Sequence, residues 1–371
     1  MQSNHLKILL AGGGSGGPVS PVLAVAQELK KLKPKTEFLF VGTHSGPESL
    51  MVEPTGIPFV FIPGAKWRRY LSIKNFLTPF VLILGFLKSL SIIRKFQPDV
   101  VFGAGSFVTV PVAWAAKCLG VPVVIHQQDA TIGLANRLVA PIAAQITTAF
   151  EKTSKEFYSG SGLFEKKLAS RASWVGNPVR PDILDSSADA AKFFSLHDDL
   201  PILLVLGGAT GASQINDMLT EILSDLTQDN QVIHQTGRGK NKTNFRHTNY
   251  HPFELIPFPE YARILKLAHI VVARAGLSTI AELSALKKVA IIIPMPKTHQ
   301  EDNAKILSDQ HAAVVLTGVN ATPKKLKEVI NSLKFKPKDG EILSKNMRNL
   351  MPADAGLNIA KIIIGIKNQE S

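Results

Sequence analysis

Two glycine-rich turns, each closing an apolar run and opening a helical one, constrain this chain more than any other feature. They are Leu6-Lys-Ile-Leu-Leu-Ala-Gly-Gly-Gly-Ser-Gly-Gly17 and Pro201-Ile-Leu-Leu-Val-Leu-Gly-Gly-Ala-Thr-Gly-Ala212, about half a chain apart. An apolar run ending in clustered glycine reads as a buried strand that turns into a helix. Glycine there lets the backbone approach phosphate oxygens, while the helix behind presents free N–H groups and its positive dipole end. One such turn is equally a tight strand-to-helix connection with no ligand. Two of them predict an α/β fold, with two Rossmann-like lobes in tandem and a cleft between them.

The length agrees. At 371 residues the chain exceeds what one hydrophobic core usually organises, and 45% apolar residues can fill two. A single cysteine, Cys118, in an apolar helical stretch excludes an internal disulfide and a cysteine-rich metal site, and fits a reducing compartment. The first residues lead into a strand with no signal-peptide pattern. The net charge of +13 is lopsided: residues 1–180 hold 20 Lys and Arg against 9 Asp and Glu, and residues 181–371 hold 22 against 20. Such an excess serves nucleic acid, anionic lipid or phosphorylated substrates.

Strand-like runs at Ile8 to Ala11, Phe38 to Val41, Val100 to Phe102 and Val121 to Ile125 alternate with helical ones, the first from about Pro21 to Leu32. That alternation predicts a parallel sheet with helices on both faces. The second half repeats it at Ile202 to Leu206, Val232 to His234, Ile270 to Val272 and Ala290 to Ile293. The boundaries expected from these patterns are a first lobe over 1–160, a linker over 161–180 rich in Ser, Gly and Lys, and a second lobe over 181–350. A last helix over 351–371 packs on either lobe, the first being the alternative carried forward.

Residues 67–95 are the most unusual. Trp67, Arg68, Arg69 and Lys74 precede an apolar run of 12 residues, Phe76 to Leu87 with Thr78 as its polar exception, that includes Phe80 and Leu84; Lys88, Arg94 and Lys95 follow. A bilayer crossing needs about 20 residues, so the run does not span. An apolar face ringed by cations suits a helix lying in an anionic membrane interface. A buried helix with solvated basic ends fits the same letters. The basic excess of the first half favours the interface, and the basic residues flank an apolar patch instead of interleaving with base-stacking aromatics, which counts against nucleic acid.

The first glycine turn lacks the acidic residue that a nicotinamide site places at the end of the second strand, since Phe38-Leu-Phe-Val-Gly-Thr43 ends in Gly and Thr. The second half carries a denser constellation. Arg274-Ala-Gly-Leu-Ser-Thr-Ile-Ala-Glu282 follows a buried strand, and His299-Gln-Glu-Asp-Asn303 comes after the next one. Gly276 and Ser278 would open a helix whose amides face a diphosphate, with Glu282 one turn on, in reach of ribose hydroxyls. Ordinary helix-start chemistry gives Ser278 and Glu282 the same places.

Taken together, Gly12 to Gly17, Gly103-Ala-Gly-Ser-Phe-Val-Thr109, His126-Gln-Gln-Asp129, Gly176-Asn-Pro-Val-Arg180, Gly207 to Ala212, His234-Gln-Thr-Gly237, Arg274 to Glu282 and His299-Gln300 resemble, in order, the successive motifs of the MurG family. The resemblance implies a two-lobe glycosyltransferase of the GT-B type that moves N-acetylglucosamine, with inversion, from UDP-N-acetylglucosamine to the undecaprenyl-pyrophosphoryl-muramoyl-pentapeptide of peptidoglycan synthesis. It implies a peripheral enzyme on the cytoplasmic face of the cell membrane, working without a metal or other cofactor. By family position Phe258 packs near the uracil, Leu277, Ser278 and Thr279 hold the diphosphate, Ile280 and Ala281 continue the substrate-binding stretch, and Glu282 holds the ribose. Arg180, Ala209 and Gln300 fall at further donor positions, while Ser15, Gly16, Gly17 and Asp129 approach the sugar or the acceptor. Residues 67–95 match the region that seats the family on the membrane.

This chain departs from the family pattern at three places. Pro18 stands where the family usually has a histidine, and it supplies neither a base nor an N–H donor. The usual His-Glu-Gln-Asn is here His126-Gln127-Gln128-Asp129, and a usual serine is Ala209. An inverting transfer needs a base within reach of the attacking hydroxyl. Asp129 is the first candidate and His126 the second; Asp129 equally suits a cap of the helix that begins near Gly133. The leading expectation is therefore an N-acetylglucosamine transferase, against a transferase to another lipid such as diacylglycerol, or a lapsed enzyme that binds donor or lipid as a scaffold.

Overall fold

A computed structural model describes residues 5–14, 16–44, 46, 48–64, 73–157, 171–185, 191–197, 199–207 and 212–370, the side chains of 73–79, 185, 191 and 370 excepted. The chain divides into two compact units, Met1–Arg180 with Asp354–Ser371, and Pro181–Ala353.

The first unit is built on a parallel sheet of seven strands in the order β3-β2-β1-β4-β5-β6-β7. These are β1 (Lys7–Ala11), β2 (Glu37–Gly42), β3 (Phe59–Phe61), β4 (Val100–Gly103), β5 (Val123–Gln127), β6 (Gln145–Thr148) and β7 (Ala172–Trp174). Its main helices are α1 (Gly16–Leu32), α2 (Ile73–Phe96), α3 (Thr109–Cys118) and α4 (Leu134–Val139). Strand alternation decides what each helix covers. Ile8, Leu10, Val100 and Phe102 face α1, whereas Leu9, Ala11 and Val101 face the layer of α2 and α3. Both faces are covered, so the central strands are apolar throughout, as in Val-Val-Phe-Gly of β4.

The second unit repeats the plan with six strands in the order β10-β9-β8-β11-β12-β13. They are β8 (Ile202–Leu206), β9 (Gln231–Gln235), β10 (Tyr250–Phe253), β11 (Ile270–Ala273), β12 (Val289–Ile292) and β13 (Val314–Val315). Helices α5 (Ser213–Leu226), α6 (Phe258–Leu267), α7 (Leu277–Ala285) and α8 (Gln300–Asp309) follow β8, β10, β11 and β12. The core on one face gathers Leu203, Val205, Val272 and Ile291 against Ile215, Leu219 and Leu223 of α5.

The last helix, α9 (Ala355–Glu370), belongs to the first unit: Ile359, Ala360 and Ile363 join the core of β1, β4 and α1. Lys367 Nζ reaches Asp99 Oδ2 at 3.0 Å. Two other segments differ from the reading of the sequence. Residues 172–174, assigned there to the linker, form the edge strand β7 paired with β6. Helix α1 starts at Gly16 rather than near Pro21, because Pro18 sits in the first turn, where no intrahelical N–H is required.

A buried histidine fixes the carboxyl end of one strand in each unit. His126 of β5 bonds Thr147 Oγ1 at 3.0 Å through Nδ1 and Asn177 Oδ1 at 3.1 Å through Nε2, with no exposed surface. His234 of β9 likewise meets the Tyr250 hydroxyl and Asn216 Oδ1, each at 3.0 Å. The acceptor at Nε2 fixes that nitrogen as the protonated one in both rings, so each Nδ1 accepts from a hydroxyl. Desolvation pushes both rings down to about 4.

Two outcomes follow from this packing. Both histidines are neutral when folded, while the unfolded chain takes up protons below its ordinary 6.5. Their contribution is therefore complete above pH 6.5 and is lost as pH falls through about 4, on the order of 3 kcal/mol for each ring. Urea unfolding at pH 7 and pH 4.5 should show a smaller acid loss for His126→Gln than for the parent. Ile363 is fully buried under α1, so Ile363→Ala should lower the stability of the first unit by about 2–4 kcal/mol in the same measurement.

Candidate active-site motifs

In each unit the motifs gather at the carboxyl ends of the strands, around the point where the strand order reverses. In the first unit β1 lies between β2 and β4, and in the second β8 lies between β9 and β11. Loops after such a pair leave in opposite directions and open a crevice at the sheet's edge, where open α/β sheets bind ligands. The glycine turns follow β1 and β8, and the Gly103 to Thr109 and Arg274 to Glu282 motifs follow β4 and β11.

In the first unit the two loops are stitched together. Ser106 Oγ donates to Gly13 C=O at 3.0 Å and accepts from Val108 N–H at 3.0 Å. Phe107 covers Gly14, whose φ is +81° and where a Cβ would lie 2.3 Å from the ring. Glu48, which the reading of the sequence did not single out, completes the turn. Its fully buried carboxylate accepts from Thr43 N–H at 2.8 Å, Thr43 hydroxyl at 2.5 Å and Gly14 N–H at 3.2 Å. Side chains at Gly13 or Gly46 would collide with that carboxylate at 2.5 and 1.8 Å. No local pattern marks Glu48, whose partner Gly14 lies 34 positions away. The Gly14 amide is thus engaged by the protein itself, as is the Gly12 amide by Val41 C=O at 3.1 Å, which narrows the phosphate cradle expected there. Gly16 and Gly17 open α1, with Gly17 exposed; Ser15 lies outside the described residues.

The His126 to Asp129 stretch leaves β5. His126 is buried with both ring nitrogens bonded inside the protein, so it is not the base that the sequence offered as second candidate. Gln127, at the position where the family has an acid, shapes the loop. Its Nε2 donates to the carbonyls of Asp129 and Thr131 at 2.9 and 3.0 Å, and its Oε1 accepts from Gly133 N–H and Asn136 Nδ2 at 3.3 and 2.7 Å. A glutamate could not make the first two bonds, since an ionised carboxylate has no donor. Asp129 is half-buried on this loop, and Gly133 rather than Asp129 is the N-cap of α4. Arg180 is half-buried at the end of the first unit.

The second unit leaves its helix tip open. Gly276 is the N-cap of α7 and no side-chain hydrogen bond caps the end among the described residues, and the first amides, from Leu277 to Thr279, have no acceptor within the helix. Ser278 Oγ is buried without a hydrogen-bond partner, and so is Arg274 Nε. Arg274 Nη1 reaches the carbonyls of Ile293 and Pro294 at 3.0 Å and Gln214 Oε1 at 2.9 Å, tying together the loops after β11 and β12 and the start of α5. Two residues counted in the substrate-binding stretch by family position face elsewhere. The Ile280 amide bonds Gly276 C=O at 3.0 Å, and the side chains of Ile280 and Ala281 lie in the core, as does that of Leu277. Any contact from Leu277 is therefore through its backbone.

Glu282 is nearly buried, and its Oε2 accepts from the Tyr261 hydroxyl at 2.6 Å. Phe258 is the first residue of α6, one turn before Tyr261. Asn303, fully buried on α8, donates to Ala275 C=O at 3.1 Å and steadies the loop before α7. Gln300 Oε1 accepts from Met295 N–H at 2.9 Å, folding the loop after β12 back on itself. Ala209 lies outside the described residues.

The apolar helix α2 is two-faced. One side packs on the first unit: a Cβ at Gly85 would sit 2.6 Å from Pro63 C=O, Ser89 Oγ donates to Gly85 C=O at 2.7 Å, and Ile93 is in the core. The other side presents Phe80, Ile83, Leu84 and Leu87, each more than half exposed, beside exposed Lys88, Arg94 and Lys95. Buried on all sides, as the alternative reading had it, the helix is not. None of the described helices is long and apolar enough to cross a membrane. Trp67, Arg68 and Arg69 lie outside the described residues, as do the side chains of Lys74 and Phe76.

Comparison with known proteins separates what the fold leaves joined. The N-terminal domain of glycosyltransferase family 28 matches residues 8–148, and its C-terminal domain matches residues 202–357. The UDP-N-acetylglucosamine--N-acetylmuramyl-(pentapeptide) pyrophosphoryl-undecaprenol N-acetylglucosamine transferase of Listeria welshimeri is 32% identical over 97% of this chain and 99% of its own length. Among solved structures, MurG of Acinetobacter baumannii superposes with a TM-score of 0.71 at 23% identity, covering 97% of this chain and 99% of that one. A UDP-GlcNAc 2-epimerase of Neisseria meningitidis reaches 0.70 at 13% identity, covering 97% and 100%. Shape alone is thus shared by transferases and epimerases, whereas sequence is not. The chain belongs to glycosyltransferase family 28 and, within it, to the MurG family.

Proposed function

We infer that this protein transfers N-acetylglucosamine from UDP-N-acetylglucosamine to undecaprenyl-pyrophosphoryl-N-acetylmuramoyl-pentapeptide, the step that completes the lipid-linked disaccharide of peptidoglycan synthesis. The observation that carries the reading is the uncapped tip of α7 after β11, with buried Ser278 Oγ unpartnered beside it and Glu282 one turn on. Free amides at a helix start suit a diphosphate, and a carboxylate at that distance suits a ribose.

The chemistry is part of the same reading. The acceptor hydroxyl attacks the anomeric carbon of the donor as its proton passes to Asp129. The bond from that carbon to the diphosphate oxygen breaks, and configuration inverts. The charge growing on the departing UDP is met by the amides of Leu277, Ser278 and Thr279 and by the helix dipole, which need no reorganisation as the bond breaks. A metal is not required for that role. Asp129 is favoured over His126 because His126 has no free ring nitrogen.

The acceptor's lipid tail requires a membrane surface, and the exposed face of α2 supports that placement on the cytoplasmic leaflet. Four large apolar side chains would enter the interface, and Lys88, Arg94 and Lys95 would meet anionic headgroups, at about 1 kcal/mol for each cation near the surface.

Purified protein given labelled UDP-N-acetylglucosamine and the lipid-linked muramoyl acceptor should form disaccharide at the same rate with and without a chelator. Asp129→Asn should lower kcat by roughly 10²–10⁴-fold while UDP affinity stays unchanged. Turnover at the parental rate would remove Asp129 from the mechanism, and donor binding without transfer to any lipid acceptor would favour a scaffold. For the membrane face, flotation with vesicles containing phosphatidylglycerol should recover the parent at low salt. The double variant Ile83→Glu, Leu87→Glu should stay in solution, and equal recovery of the two would refute the placement of α2.

A further inference from the structure

We propose that Tyr261 is a positioning residue that determines nucleotide specificity: its hydroxyl fixes the Glu282 carboxylate in the orientation that reads the two ribose hydroxyls of the donor. The proposal rests on the donor-site reading above and deepens it. Its first support is the bond of 2.6 Å from the Tyr261 hydroxyl to Glu282 Oε2, between α6 and α7. A phenol donating to an ionised carboxylate at that distance makes one of the stronger hydrogen bonds available to side chains.

The second support is placement. Tyr261 follows Phe258 by three residues on α6, so the two share a face of that helix. The side chain beside the base and the side chain that holds the ribose carboxylate are therefore delivered by one turn of one helix. Glu282 is 7% exposed, and a glutamate free to rotate in so enclosed a place would lose that freedom on binding. Held by Tyr261, it has lost it beforehand, and the nucleotide does not bear the ordering cost.

Specificity follows from the chemistry of the acceptor atoms. An ionised carboxylate only accepts hydrogen bonds, so it rewards a sugar that offers hydroxyl donors and is left unsatisfied by one that does not. Tyr261 should sharpen that contrast without touching the diphosphate or the reacting carbon. Removing its hydroxyl should weaken binding of a ribonucleotide and leave a nucleotide lacking both ribose hydroxyls nearly unaffected.

The test is calorimetric titration of the full-length protein with UDP and with 2′,3′-dideoxy-UDP, for the parent, Tyr261→Phe and Glu282→Gln, together with steady-state kinetics of the first two. For Tyr261→Phe we expect UDP to bind about fivefold more weakly and the dideoxy nucleotide to change less than about twofold. The donor KM should rise while kcat at saturation holds. An equal loss for both nucleotides, as general damage to the fold would give, overturns the proposal, and so does no loss for either. Glu282→Gln distinguishes this failure from that of the underlying reading. If that variant binds UDP as the parent does, Glu282 is not the ribose ligand and both readings fall; if it loses UDP selectively while Tyr261→Phe does not, only the role of Tyr261 falls.

Discussion

A backbone amide can hold a phosphate only if nothing in the protein has already claimed it, and the arrangement of both units turns on where such amides are left. In a parallel sheet the interior N–H groups are all engaged by neighbouring strands. Free ones survive at the first turn of each helix that leaves a strand's carboxyl end. The two strand orders, with β1 between β2 and β4 and β8 between β9 and β11, set two such helix starts side by side in each unit. Residues as distant as Gly13 and Ser106 become neighbours at 3.0 Å for that reason.

The units then treat the same architecture differently. In the first, the carboxylate of Glu48 takes the Gly14 amide and ties it to Thr43. This stiffens the glycine turn and occupies one of its amides. In the second, no side-chain hydrogen bond caps α7 among the described residues, and the guanidinium of Arg274 bonds the loop after β12. An anion meets a prepared carboxylate at one glycine turn and open donors at the other helix tip. The proposed placement of the nucleotide diphosphate in the second unit rests on that difference. The neutral histidines His126 and His234 are the quieter part of the same design, since each anchors a strand end to a neighbouring loop or helix without adding charge near the site.

Much of the fold could be read directly. The central strands β1, β4, β8 and β11 are apolar on both faces, so their runs stand out, and each is followed by glycine within a few residues. The strands at and next to the sheet edges were hidden. Gln-Ile-Thr-Thr of β6 has three polar residues in four, Ala-Ser-Trp of β7 is too short to show a period, and β10 contains Pro252, which an edge strand tolerates. In the candidate site, the helix start at Gly276 was legible from its glycine and serine, and the face of α2 from its spacing. Hidden were Glu48 and Tyr261, ordinary letters whose meaning depends on a partner brought near by the fold. His126 looked like a base because histidine so often is one, and burial decided otherwise.

The sequence by itself determined the two α/β units, the turns where strands give way to helices and the family to which the chain belongs, because periodicity and glycine placement are local properties that survive without contacts. Only the tertiary structure decided which polar groups remain available. Whether Gly14 offers its amide, whether His126 can take a proton and whether Glu282 is free to turn all depend on side chains more than 20 positions away in at least one direction. Desolvation and hydrogen-bond competition act through space, and the order of letters does not record them.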